Sequence, residues 1–343
     1  MKDFYGAFQI AFVYVGTVIG AGFATGKEIV EFFTQYGFIG FAGIMLSGYL
    51  FIIMGTKTMK LAIKLKAQSY EELNEYLFGK KLSLFFNMAM MVMLICVSGV
   101  MLAGAGALFE EQLGVSKQFG IWLTIFWGFI VMVNGTKGLL AVNSFVVPLM
   151  ITFTLIVFFI SAKRPEFFSS FFSTIVSDIS IQSILSPFAY TAFNLALAQA
   201  VLVPVAAEVN DERTIKWGGI LGGLFLTIIL LSSHFVLLQL PDAASLEIPM
   251  ASIMKNIAYG ISGIYLCIIY GEIFTSIIGN MYGLERQLSH YLQLRPLFLY
   301  IIVFLIAFFL SQLHYGRLLS LLYPLFGYFS FLFFFLLWIK PIK

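Results

Sequence analysis

Gly16-Thr17-Val18-Ile19-Gly20-Ala21-Gly22 lies in the middle of the first long apolar stretch of the chain. Glycine costs about 1 kcal/mol against alanine inside a helix, so a glycine cluster marks a point where helical geometry is given up. The apolar stretch around it, Phe4 to Phe38, is longer than the roughly 20 residues of one straight membrane crossing. The pattern predicts two half-helices joined by unwound backbone near the bilayer midplane. Such a break exposes N–H groups at the start of one half and C=O groups at the end of the other. In hydrocarbon they are tolerated only where they line a cavity or bind a guest.

The rest of the chain has the same character. Of its 343 residues, 60% are hydrophobic and 11% are charged, more apolar surface than a soluble domain of this length can hide. This identifies an all-α polytopic membrane protein. The apolar runs divide into ten expected spans, near 5–35, 38–61, 82–109, 118–135, 139–162, 183–208, 215–239, 258–284, 296–313 and 317–339. Between the second and third, Ser69 to Leu77 reads as an amphipathic surface helix with Ser69 as its N-cap. The polar, Phe-rich connection 163–181 is expected on the membrane surface, and 240–257 is expected to hold another surface helix. No small-residue cleavage site follows the first apolar segment, so it is expected to be retained. Cys96 and Cys267 fall inside apolar runs and read as buried thiols, not as a disulfide or metal pair.

Lysine and arginine give an orientation. With the N-terminus inside, Lys2, Lys57, Lys60, Lys64, Lys66, Lys80, Lys81, Lys137, Arg213, Lys216, Arg286, Arg295, Lys340 and Lys343 lie on the inner side. The outer side holds Lys117, Lys163, Arg164, Lys255 and Arg317. Both termini are then cytoplasmic, in a cell membrane. Ten spans divide into five plus five, and an odd number per half inverts the second half against the first. The chain is read as a single transmembrane domain, 1–343, with repeats near 5–162 and 183–339. Spans 1 and 6 become symmetry mates, and both are expected to be broken. Span 6 carries Pro187 near its start, Pro204 near its end, and Tyr190-Thr191-Ala192-Phe193-Asn194 between them. A kinked span with Asn194 bonded to a neighbouring helix is the alternative.

Several motifs have competing readings. Gly20 to Lys27 looks at first like a phosphate loop, but Ala21 stands where glycine is required and Glu28 where a magnesium-binding Ser or Thr is required. Nucleotide binding is excluded, and nothing resembles a basic nucleic-acid surface. Gly16-x-x-x-Gly20 also fits helix packing, although Gly22 and Gly26 extend the run beyond what packing needs. Gly99, Ala103 and Gly106, and Gly218, Gly219, Gly222 and Gly223, read as packing stripes. Thr275-Ser276 could join freed carbonyls of span 1 in a sodium cage, or could bond back to its own helix. Glu272, one turn earlier, either serves a cation or proton site or pairs with Lys27 or Arg286. Lys27 and Glu31 form an i,i+4 pair, with an outer gate as the other reading. His234, His290 and His314 are too scattered for a metal or nucleophile constellation, and His234 reads as a hydrogen-bonded core histidine.

Gly16 to Gly22 resembles the first-helix break of the LeuT-fold transporters, the amino acid–polyamine–organocation superfamily. Val15 to Glu28, together with Tyr190 to Ala198, is similar to the YkvI-like amino-acid permeases. The likeness runs through the span order, and its sharp part is confined to spans 1, 6 and 8. It implies substrate contacts at Ile19, Gly20, Ala21, Gly22, Tyr190, Phe193 and Asn194. The N–H groups of Ala21 and Gly22 would hold a carboxylate, and carbonyls near Ile19, Phe193 and Asn194 an ammonium. In the sodium-coupled branches it implies a site from Gly16, Ile19, the carbonyl of Glu272, Thr275 and Ser276. The second break lacks the usual glycine-rich run, and a charged Glu272 is a departure that leaves sodium and proton both open as coupling ion. The expectation is a cation-coupled symporter of an amino acid or similar small zwitterion, not an enzyme. Sodium is the only cofactor-like ion expected, and substrate and membrane lipid the expected partners. A ligand-sensing receptor of the same fold is the alternative.

Overall fold

The computed structural model describes residues 2–165, 167, 171, 180–240, 243, 249–257, 262–312 and 315–341. The first apolar stretch folds as α1 (Lys2–Val18), α2 (Ala21–Ala24) and α3 (Lys27–Phe32). A 3-10 turn at Thr34–Tyr36 leads to α4 (Gly37–Leu50), a π-helical segment (Phe51–Gly55) and α5 (Thr56–Leu65). Then follow α6 (Tyr70–Phe78), α7 (Lys80–Leu113), α8 (Lys117–Val133), α9 (Gly135–Ala162) and α10 (Ile181–Val209). The last elements are α11 (Glu212–Leu237), α12 (Pro249–Ile257), α13 (Ser262–Tyr291), α14 (Pro296–Leu310) and α15 (Tyr315–Ile339).

The surface helix expected after Ser69 is α6. The Ser69 side chain accepts from the Glu71 N–H at 3.2 Å, and Glu72 accepts from the Ser69 N–H at 3.0 Å, which satisfies donors that a free helix start would leave open. Within 240–257 the expected helix is α12; most of 163–181 lies outside the described residues, as does His314. Cys96 is half-buried and Cys267 exposed, both free thiols. The expectation of two buried thiols is therefore corrected at Cys267, which lies on the outward face of α13.

α1 packs along α11, and the glycines of α11 are what let it do so. A β-carbon on Gly222 would lie 2.6 Å from the Tyr14 ring, and one on Gly218 would lie 2.5 Å from Ile10. Gly219 and Gly223 meet Thr56 and Ile52 on the other side in the same way. Tyr14, fully buried by this contact, donates its hydroxyl to the Phe51 carbonyl at 2.9 Å. That carbonyl opens the π-helical segment, where the wider turn disturbs the regular ladder and an outside donor satisfies the backbone.

The second expected break is absent. α10 runs unbroken from Ile181 to Val209 through Pro187 and Pro204. Each proline removes one amide donor without unwinding the helix. Beside Pro187, Ser47 of α4 donates its Oγ to the Pro187 carbonyl at 3.2 Å, a tie between the two helices, and Thr191 donates to the same carbonyl at 2.8 Å from within α10. At Pro204 the carbonyl left without its amide is that of Ala200, and Gly283 of α13 closes on it; a β-carbon there would be 2.9 Å away.

Among the described residues, six helices are long and apolar enough to cross a membrane: 27–65 taken through its π segment, 80–113, 135–162, 181–209, 212–237 and 263–289. Phe4–Val18, Lys117–Val133, Pro296–Leu310 and Phe329–Ile339 are shorter apolar helices. The 17-residue α8 is about 25 Å long, short of a roughly 30 Å hydrocarbon core. Fewer helices thus meet the length test than the ten expected spans.

Candidate functional site

The break in the first span falls at Ile19-Gly20, between α1 and α2. α2 lasts one turn. The Gly26 N–H bonds to the Phe23 carbonyl at 2.9 Å, and Gly26 adopts φ +80°, a left-handed conformation that glycine takes without steric cost. α3 starts at the next residue, Lys27.

Three contacts hold the unwound carbonyls. Ser276 Oγ donates to the Ile19 carbonyl at 2.6 Å. Tyr265 donates its hydroxyl to the Ala24 carbonyl at 3.3 Å. The Met250 N–H, at the start of α12, donates to the Thr25 carbonyl at 3.0 Å. Two of the three donors belong to α13, where Tyr265, Glu272 and Ser276 share the face turned to the break.

Next to α2 is a cavity between α2, α9, α11, α12 and α13. Phe23, Phe153, Ser233, Met250, Tyr265 and Glu272 contribute to its lining. Glu272 is 5% exposed, and its Oε2 has no hydrogen-bond partner in the protein. Arg286, a candidate partner for it, is committed elsewhere. Its guanidinium lies 3.3 Å from Glu208, donates to Thr136 Oγ1 at 3.3 Å and covers the Tyr282 ring. Lys27 acts electrostatically on Glu31, its i,i+4 neighbour.

The remaining sequence candidates divide. Ile19 and Ser276 are in direct contact. Thr275 turns the other way and donates to the Glu272 carbonyl at 2.9 Å, back along its own helix. Gly16 is inside α1 and faces α9, where a β-carbon on it would meet Asn143 Oδ1 at 1.8 Å. Gly20 lies against Ser276 and Met101, and Gly22 accepts from Thr25 Oγ1 at 3.1 Å. Ala21 opens α2. Tyr190 and Phe193 are buried. Tyr190 packs among Phe32, Phe33 and Phe51, with ring centroids 5.3, 4.9 and 6.0 Å away. Asn194 donates to the Tyr190 carbonyl at 2.9 Å, a bond within α10. His234 is a hydrogen-bonded core residue: fully buried, with Nδ1 3.2 Å from Thr34 Oγ1. Among the described residues no cluster of His, Cys, Asp or Glu could hold a metal ion.

The reading of residues overlooked Tyr265, Asn143 and Phe153. Tyr265 had a signal, since it stands seven residues before Glu272 and therefore shares its helix face. Asn143 and Phe153 had none, because nothing in the sequence gives the rotation of α9.

No family model matches the chain. The membrane protein YkvI of Bacillus subtilis is 48% identical over 328 residues, covering 94% of this chain and 93% of YkvI. YyaD of Bacillus subtilis is 23% identical over 315 residues, covering 91% and 90%. Among solved structures, a Na+-coupled sialic acid symporter in a substrate-bound outward-open state superposes with a TM-score of 0.68 at 14% identity, over 97% of this chain and 79% of that one. A manganese transporter of Eremococcus coleocola superposes with a TM-score of 0.66 at 13% identity, over 94% and 75%. At these identities the likeness establishes a shared, LeuT-like fold. The near-complete match at 48% identity establishes more: this chain belongs to the YkvI family of membrane proteins.

Proposed function

We propose that the protein is a secondary transporter that couples a cation gradient to the symport of an amino acid or similar small zwitterion, by alternating access across ten spans in two inverted halves. The observation that carries this reading is the unwound Ile19-Gly20 segment, with its carbonyl held by a hydroxyl of α13 beside a cavity that contains a buried carboxylate. A continuous helix would serve any structural role at lower cost, whereas exposed peptide groups at membrane depth are kept where they line a cavity or bind a guest. The shared fold supports the reading, because the structural neighbours named above are transporters.

Sodium is the coupling ion favoured by the donor set. The Gly16 and Ile19 carbonyls, the Glu272 carbonyl and the Thr275 and Ser276 hydroxyls are hard oxygen ligands of the kind an alkali cation takes. Ser276 and Thr275 each contact one of these carbonyls in the resting protein, which keeps the oxygens paired without an ion. Substrate would meet the break at Ile19, Gly20, Ala21 and Gly22, with Tyr190, Phe193 and Asn194 of α10 behind it.

Uptake of labelled amino acids into proteoliposomes, with sodium and proton gradients imposed separately, tests the proposal. Accumulation driven by an inward sodium gradient, weakened in Ser276→Ala, is the expected result. Saturable binding with no flux under either gradient would make the protein a sensor and overturn the proposal.

A further inference from the structure

The cavity beside the break holds one carboxyl group and, among the described residues, no cationic side chain. Glu272 supplies that carboxyl group. Its carboxylate is nearly fully buried, and Oε2 meets no donor in the protein. Arg286 is engaged by Glu208 and Thr136, and the Thr275 hydroxyl next along the helix is spent on a backbone carbonyl. A lone carboxylate at membrane depth costs about 2.5 kcal/mol or more on the mildest scale, and a bound cation removes that cost.

The walls have a matching chemistry. Phe153 and Tyr265 lie nearly parallel, at 19° and 5.9 Å between centroids, and Phe23 lines the same space. Aromatic faces attract organic ammonium groups. Ser233 adds a hydroxyl, and no described cationic side chain lines the cavity to receive a guest's carboxylate.

We propose that this cavity selects a net-cationic amine, with the guest's ammonium paired to Glu272 against the Phe153–Tyr265 rings. The inference rests on the transport reading for what the site is used for, and narrows its substrate from a small zwitterion to an amine carrying one excess positive charge. A cationic amino acid or a simple alkylamine satisfies it; a neutral amino acid brings no excess positive charge to pair with Glu272.

Calorimetric binding to the purified full chain in lipid nanodiscs, at fixed sodium, tests it with four probes: lysine, n-butylammonium, norleucine and n-butanol. Lysine and n-butylammonium are expected to bind at least about tenfold more tightly than norleucine and n-butanol, the scale of one charge-assisted hydrogen bond. Glu272→Gln is expected to abolish that preference, and Glu272→Asp to retain part of it. Equal binding of lysine and norleucine by the unmodified protein overturns the proposal, and needs no variant to fold. A preference that survives Glu272→Gln overturns it too. So does a response that depends on Glu272 for sodium or proton alone, with no amine bound. Sodium-driven uptake of norleucine without cation preference sinks this inference and leaves the transport reading standing. Cation binding without flux does the reverse.

Discussion

Single atoms decide the behaviour of several positions here. At Gly16 a β-carbon would overlap Asn143 Oδ1, at 1.8 Å. Gly16→Ala is therefore expected to destabilise the protein by about 1–3 kcal/mol, the usual range for overpacking a close contact. Thermal unfolding in detergent reads this, and Asn143→Ala in the same chain should recover much of the loss. The two hydroxyls of the Thr275-Ser276 pair are not equivalent. Ser276 crosses to the Ile19 carbonyl, whereas Thr275 bonds within its own helix. Ser276→Ala should cost about 1 kcal/mol, the net worth of one buried hydrogen bond, and should lower sodium dependence of uptake. Thr275→Ala should leave stability closer to that of the parent, as measured by the same melting assay.

Elements are joined where the start of α9 meets the ends of α10 and α13 by a small polar cluster. Thr136 Oγ1 donates to Glu208 at 2.6 Å and lies 3.0 Å from the Tyr282 hydroxyl, and Arg286 bridges to Glu208. On the other side of α13, Gln287 and Tyr291 both donate to Glu71 of α6 at 2.8 Å. Arg286 and Glu208 are partly exposed, so the ion pair is worth only about 0–1 kcal/mol in stability. Its larger expected effect is on which side of the protein is open. Glu208→Gln should increase inner-side labelling of a cysteine placed at Thr136, with melting temperature nearly unchanged. α11 begins at another polar contact: Asp211 accepts from the Thr214 N–H at 2.8 Å, and hydrogen bonds from Thr214 hold its carboxyl below the ordinary range. A lowered carboxyl value means that the cap is fully present above the unfolded-state value and is lost as pH falls through the folded one. Hydrogen-exchange protection at Thr214 should drop on acidification, and Asp211→Asn should remove that pH dependence while keeping the cap.

For the molecule as a whole, the charge distribution predicts an orientation that maleimide labelling can check. In a background without Cys96 and Cys267, Lys66→Cys should label only after cells are permeabilised, and Ser116→Cys should label in intact cells. The reverse pattern would invert every statement about inner and outer faces. A further whole-molecule consequence concerns two ties beside the cavity, from the Met250 N–H of α12 to the Thr25 carbonyl and from the Tyr265 hydroxyl to the Ala24 carbonyl. Tyr265→Phe removes one of these two ties and should speed ligand dissociation, measurable as a faster off-rate in the nanodisc binding assay.

The amino-acid sequence by itself determined the membrane class, the position of the break in the first span, the α6 cap and the packing stripe of α11. Each of these follows from local chemistry: apolar run length, glycine's cost in a helix, side-chain capping and small residues at helical spacing. It could not determine whether Pro187 and Pro204 open α10. That depends on packing against α4 and α13, far away in the chain, which tie in at the Pro187 carbonyl and close on the Ala200 carbonyl. Nor could it determine that Gly16 faces α9, that Ser276 and not Thr275 reaches the break, or that Arg286 leaves Glu272 alone in a cavity. A helix's composition gives its periodicity, but only packing against its neighbours fixes its rotation and depth, and those two quantities choose which side chains meet.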